Sequence, residues 1–271
     1  MTTSDERRAT WLAAYDTLRG ERETPSALGV ELVGPVRLVR FAGGRGFVTY
    51  RDLGGLDAAG VDELVGEIVR RVAVDASFER VEWKTRAHDA APGLHEALLA
   101  RGFVPDETEA IMIGELAGLV RATVPDGVTV RQVVDAADVH ALAATADRAF
   151  GDEPSEASVA ALLRRQSVDP DLELWVAEVA GVMVSTGRLE PVRGTPVAGF
   201  WGGATLPAWR GRGAYRAVVA ARARSALEAG YTLAHSDSTA ASRPILERSG
   251  LVAVSSTTPY RWRRSAPAVV G

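Results

Sequence analysis

The residues best suited to chemistry lie between Ala204 and Ala221, in the stretch ATLPAWRGRGAYRAVVAA. A strand-like run ends at Leu206, Pro207 turns the chain, and Arg210-Gly211-Arg212-Gly213 opens onto a helix. The first N–H groups of a helix have no acceptor within it, and the aligned peptide dipoles put partial positive charge behind them. Such a start therefore attracts anions. Glycines let the backbone approach a bulky phosphate without a Cβ in the way, and flanking arginines add charge and bidentate reach. The run Ala217 to Ala221 is apolar on all sides, as expected of a helix packed on a sheet. Two familiar phosphate loops do not match. A Walker loop requires G-x-x-x-x-G-K-S/T, and the dinucleotide fingerprint requires a third glycine where this chain has Arg216.

Composition narrows the chemistry further. With Lys+Arg 31 against Asp+Glu 35, the net charge is −4, which argues against a nucleic-acid partner held by charge. Cysteine is absent, which removes disulfides, thiolate metal sites and cysteine nucleophiles. The four histidines (His88, His95, His140, His235) show no H-E-x-x-H spacing, so no metal site is expected. No run of eighteen apolar residues suggests a membrane span. The opening MTTSDERR has no apolar signal core, so a cytoplasmic location is expected.

The elements that must position the turn read as follows. A first helix covers Ser4 to Arg19, with short strands near Val36–Phe41 and Phe47–Tyr50. An amphipathic helix follows, burying Val61, Leu64, Val65, Ile68 and Val72, with Asp57 as its N-cap. A strand at Phe78–Thr85, a helix at Gly93–Arg101 and a strand at Ala110–Leu116 complete the first part. Val120 to Gly127 lacks core periodicity and ends in Pro-Asp-Gly, so the domain boundary is placed there: residues 1–122 and 123–271. The second part reads as strand Val128–Gln132, helices Ala136–Phe150 and Ser155–Ser167, and strands Leu172–Val179, Val182–Leu189 and Pro196–Leu206. It continues with helix Gly211–Ala229, strand Tyr231–Ser236, a helix near Arg243–Arg248 and a last strand to Trp262. Both parts run long helix, strand, short helix, glycine, strand, which suggests a duplicated fold.

The turn resembles the R/Q-x-x-G-x-G/A signature of the GNAT (Gcn5-related N-acetyltransferase) superfamily. Arg210 fills the first position and Gly213 the fourth, while Tyr215 stands sixth, where glycine or alanine is common. The resemblance extends in element order over Val128 to Trp262. It implies an α+β fold of two tandem GNAT-like domains, each a mixed, largely antiparallel sheet flanked by helices. It also implies acetyl-CoA as acyl donor. Ala204, Thr205 and Leu206 would pair with the pantetheine arm, and Arg210, Gly211, Arg212, Gly213, Ala214 and Tyr215 would wrap the pyrophosphate. Thr239 and Ser242 would flank the cofactor's other side. In the first part the corresponding turn is Leu53-Gly54-Gly55-Leu56-Asp57, without arginine, so that half is expected to keep the fold and lack the cofactor loop.

The family's usual acid and base are both missing. Leu246 stands where a tyrosine commonly protonates the leaving thiolate, and Phe200 to Leu206 holds no carboxylate. The remaining candidates are Asp237, read either as a base or as a turn residue, and Glu190, read either as a base or as a solvated strand end. His235, alternating with Asp237, reads as structural. Trp175, Trp201 and Trp209 line either a substrate slot or the core. Two functions stay open. One is an N-acyltransferase moving an acetyl group to a small-molecule or peptide amine by direct attack, as a monomer or homodimer. The other is a non-catalytic acyl-CoA-binding or interaction module.

Overall fold

A computed structural model describes residues 4–264. In chain order the elements begin α1 (Ser4–Asp16), β1 (Gly29–Val33), β2 (Val36–Phe41), β3 (Arg45–Thr49), α2 (Ala58–Val74) and β4 (Arg80–Arg86). Next come α3 (Leu94–Ala100), β5 (Val104–Pro105), β6 (Glu109–Glu115), α4 (Leu116–Leu119), β7 (Val128–Val133), α5 (Ala136–Phe150) and α6 (Glu156–Val168). The chain continues through β8 (Glu173–Val179), β9 (Val182–Pro191), β10 (Val197–Thr205), α7 (Ala214–Glu228), β11 (Leu233–Ser238), α8 (Arg243–Arg248) and β12 (Val252–Arg263).

Local chemistry accounts for many of these limits. Asp57 accepts from the Gly60 N–H at 2.9 Å and starts α2. Asp135 and Ser155 cap α5 and α6 in the same way. Ala180 and Gly181 both take positive φ (49° and 78°), the geometry of a two-residue hairpin between β8 and β9. β1 is absent from the sequence reading; Val30 and Leu32 alternate with Glu31, but over only five residues, and in the structure every position except Val33 is exposed.

Two compact units form, and they do not follow the cut expected near residue 122. Among the described residues, the amino-terminal unit takes Arg19–Glu109 with 255–264, and the carboxy-terminal unit takes 4–18 with Ala110–Val254. The reason is an exchange of strands. β6, expected to close the first part, pairs antiparallel with β11 from Leu233↔Glu115 to Ser238↔Ala110. β12 pairs with β4 from Thr257↔Arg86 to Arg263↔Arg80.

In the carboxy-terminal unit the strand order is β7-β8-β9-β10-β11-β6, antiparallel except for the β10–β11 pair. Strand alternation sorts its faces. Ala110, Met112, Ala198, Phe200, Ala234 and Leu246 pack with Val219 and Ala223 of α7. On the other face Ile111, Ile113 and Val197 pack with Trp11 and Tyr15 of α1 and with Leu18. The amino-terminal unit orders β1-β2-β3-β4-β12, with β3–β4 parallel, and buries α2 against Val36, Leu38, Val48, Val81 and Trp83.

The exchange has a testable consequence. A fragment of residues 123–271 lacks α1 and β6, so the whole β6-facing edge of β11 and the apolar face under α1 are exposed. Expressed alone, it should be insoluble or lack a cooperative thermal transition. A soluble, monomeric and fully active fragment would show that neither element is needed.

Candidate functional site

The turn before α7 is built around glycine. Gly213 is the N-cap, with φ at +87°, and a Cβ there would meet Cγ of Pro125 at 2.9 Å. Only glycine takes that position without strain. A glycine cap brings no side chain, so the cap residue itself offers no acceptor to the first N–H groups of α7. Arg212 is exposed with its guanidinium 5.0 Å from the Trp209 ring centre. Arg216, also exposed, brings Nη2 to 3.8 Å from the place of a Gly213 Cβ. The motif reading missed Arg216, although its spacing of three from Gly213 puts it beside the helix start.

Other expected contacts are placed differently. Arg210 turns away from the helix start. Its Nε donates to the Thr205 carbonyl at 3.1 Å and its Nη2 to the Ala149 carbonyl at 2.8 Å, tying the turn to β10 and to the last turn of α5. The Tyr215 ring fills the space left by Gly203, where a Cβ would lie 2.7 Å from Cε2, and its phenol favours the charged form of the nearby Arg222 guanidinium. Only the backbone of Tyr215 therefore stays with the turn. Thr239 and Ser242 face each other at 3.4 Å in the turn that opens α8. Ala204 and Thr205 pair with Thr186 and Ser185 of β9, and the Leu206 N–H donates to the Val184 carbonyl at 3.0 Å.

The strand edge beside this turn is open. β10 and β11 run parallel only through Val197↔Leu233, Ala198↔Ala234 and Gly199↔His235. Both strands continue, to Thr205 and Ser238, without further pairing to each other. A register shift between Trp201 and Ala204 marks a bulge in β10 where the two part. Beyond Gly199 and His235 the facing edges of β10 and β11 therefore carry no pairing to each other, while the carbonyls of Gly202, Ala204 and Thr205 accept from Thr186, Ser185 and Arg210. Periodicity cannot reveal such a gap, since both strands read as ordinary strands.

Asp237 is not a turn residue. It lies within β11, paired with Ile111, two residues beyond the last β10–β11 pair. Its carboxylate is only 4% exposed, and Oδ1 stands 3.3 Å from Nε2 of His235. The imidazole lies between Tyr15 (ring centres 5.0 Å apart) and Trp201 (5.2 Å, edge-on). Trp201 folds back over Gly199, where a Cβ would sit 2.3 Å from its Nε1. Glu190 is not a solvated strand end. It is largely buried, with Oε1 accepting from Arg188 Nε at 3.0 Å and Oε2 paired with Arg165. Both oxygens are held by cations rather than presented to a substrate. Leu246 is 2% exposed and belongs to the core under β11. Trp175 packs half-buried beside α7, with Nε1 donating to Glu173 at 2.7 Å.

The amino-terminal unit has the same parallel pair, and there the opening is filled. β3–β4 pairing ends at Val48↔Trp83. Beyond it, Arg86 Nη1 donates to the Thr49 hydroxyl at 3.3 Å, and its Nη2 pairs with Glu23, which also accepts from Thr49. Arg19 donates to both oxygens of Asp89 at 2.8 Å and to the Tyr50 carbonyl at 3.0 Å. Burial, helped by the Asp89 charge, pushes the Tyr50 phenol well above its ordinary range. Side chains bridge these strand ends, and Asp57 already caps α2.

No protein-family model matches the sequence, and no curated protein matches it. Solved structures do. A GCN5-related N-acetyltransferase from Kribbella flavida superposes with a TM-score of 0.68 at 19% identity, over 94% of this chain and 95% of that one. One from Sphaerobacter thermophilus gives 0.61 at 18% identity, over 88% and 84%. A tandem GNAT protein from the clavulanic acid biosynthesis pathway gives 0.61 at 12% identity, over 86% and 79%. The chain has the GNAT fold, as two GNAT-like units of mixed α+β structure. Among the described residues, no helix is long and apolar enough to cross a membrane.

Proposed function

We propose that the chain is an acetyl-CoA-dependent N-acyltransferase, active in its carboxy-terminal unit, that moves an acetyl group to the amino group of a small molecule or peptide. The carrying observation is the opening between β10 and β11 beside the uncapped start of α7. A long ligand with an anionic head and an amide-bearing arm fits that pair of features, and acetyl-CoA has both. When bound, acetyl-CoA supplies an acyl thioester that an amine attacks directly.

The chain's own residues divide the remaining tasks. The N–H groups from Gly211 to Tyr215, with Arg212 and Arg216, hold the pyrophosphate. The backbone from Ala204 to Leu206 orients the arm. Asp237 takes the proton of the amine, directly or through one water. No dedicated side-chain acid serves the sulfur, because Leu246 is core; a thiol reference pKa near 8.5 makes that group a fair leaving group in any case. The filled strand ends and capped helix of the amino-terminal unit support one cofactor site per chain. The cytoplasm is the setting this reading implies.

The discriminating test is acetyl-CoA turnover with a panel of primary amines, read by thiol release and by mass of the product. Amine-dependent release with a product heavier by one acetyl group is expected. CoA binding without turnover by any amine would favour the non-catalytic module.

A further inference from the structure

Arg222 lies in the middle of α7 among small apolar residues, yet it is 1% exposed. A guanidinium is rarely buried unless specific acceptors receive it. Its Nη1 donates to the Arg188 carbonyl of β9 at 2.8 Å and to the Trp201 carbonyl of β10 at 3.4 Å. Its Nε reaches the Val218 carbonyl at 3.4 Å, its charge lies 4.7 Å from the Phe200 ring centre, and Tyr215 is a further partner. Burial brings the guanidinium down to about 10, so it remains charged at neutral pH.

Two glycines make room for this arrangement. A Cβ on Gly187 would lie 2.7 Å from Cζ of Arg222, and one on Gly203 would lie 2.7 Å from the Tyr215 ring. Trp201 is the last β10 residue in register before the bulge, paired with Arg188 of β9, and the register shifts between it and Ala204. Tyr215 is the second residue of α7, two positions after Gly213. One pair of side chains thus grips the bulge of β10, the neighbouring strand β9 and the start of α7.

We infer that Arg222, with Tyr215, is a positioning residue that fixes the parted end of β10 against the anion-binding start of α7. The inference rests on the proposed CoA site. Two weak half-sites, one for the arm and one for the phosphates, give strong binding only when their spacing is held. Loosening the frame should therefore damage ligands that span both halves and spare a ligand that uses one.

The test compares CoA with adenosine 3′,5′-bisphosphate as calorimetric ligands for wild type, Arg222→Lys, Arg222→Met and Gly187→Ala, with circular dichroism melts alongside. The inference expects CoA affinity to fall about tenfold or more in Arg222→Met and Gly187→Ala, with partial rescue in Arg222→Lys. Affinity for the bisphosphate should stay within about twofold of wild type. Should Arg222→Met fail to fold, Arg222→Lys and Gly187→Ala carry the comparison. Folded variants that bind CoA as wild type does, or that lose both ligands equally, would overturn the positioning role. Wild type that binds no CoA would instead overturn the acyltransferase reading beneath it.

Discussion

Gly213→Asp is expected to weaken CoA binding by about 100-fold or more, roughly 2.8 kcal/mol, where wild type titrates with one site per chain. Three effects add. A side chain at φ +87° is strained, and its Cβ is driven toward Pro125. An aspartate at an N-cap occupies the helix N–H groups that the phosphates need. Its charge then opposes theirs within a few ångströms. The same strain should lower the melting temperature, so binding is compared only under conditions where the melt shows the variant folded. A folded variant that keeps wild-type affinity would remove the start of α7 from the binding site.

Asp237→Asn is expected to lower kcat by about 10²–10⁴, the usual range for loss of a general base, with CoA affinity unchanged. Asparagine keeps the size of the side chain and the β11–β6 pairing through Ile111, so the strand should survive. Loss confined to kcat separates proton removal from positioning of the cofactor. Leu246→Tyr should give little gain, since a donor helps only when it meets the leaving sulfur in the right geometry. The check is the pH–rate profile of wild type and Asp237→Asn with a good amine acceptor. A variant that tracks wild type across the profile would reduce Asp237 to a buried partner of His235, leaving solvent to carry the proton.

How far the sequence disclosed this site depends on whether each feature is local. The glycine–arginine turn, the Asp57 cap and the Ala180-Gly181 hairpin are set by neighbouring residues, and all are legible in order of residue type. The resemblance to GNAT signatures rests on the same local stretch. Features that depend on distant partners are not legible. Arg210 looks like a phosphate ligand until Ala149, far earlier in the chain, appears as its acceptor. β6 has the same apolar pattern whichever sheet it joins, so the exchange with β12 leaves no trace in periodicity. Arg222 reads as one more helix arginine, because the glycine that admits it, Gly187, lies on β9. Asp237 looks like a turn residue because the strand was expected to end at Ser236, whereas pairing with β6 carries β11 on to Ser238.

Acetyl transfer in this chain requires the cofactor at the opening between β10 and β11 by the start of α7. A crystal structure of the full chain with CoA tests it most directly. One CoA per chain is expected, with its pyrophosphate on the N–H groups from Gly211 to Tyr215 and its arm along Ala204 to Leu206. CoA at the start of α2 near Gly54, or lying away from the parted strand ends, would contradict it.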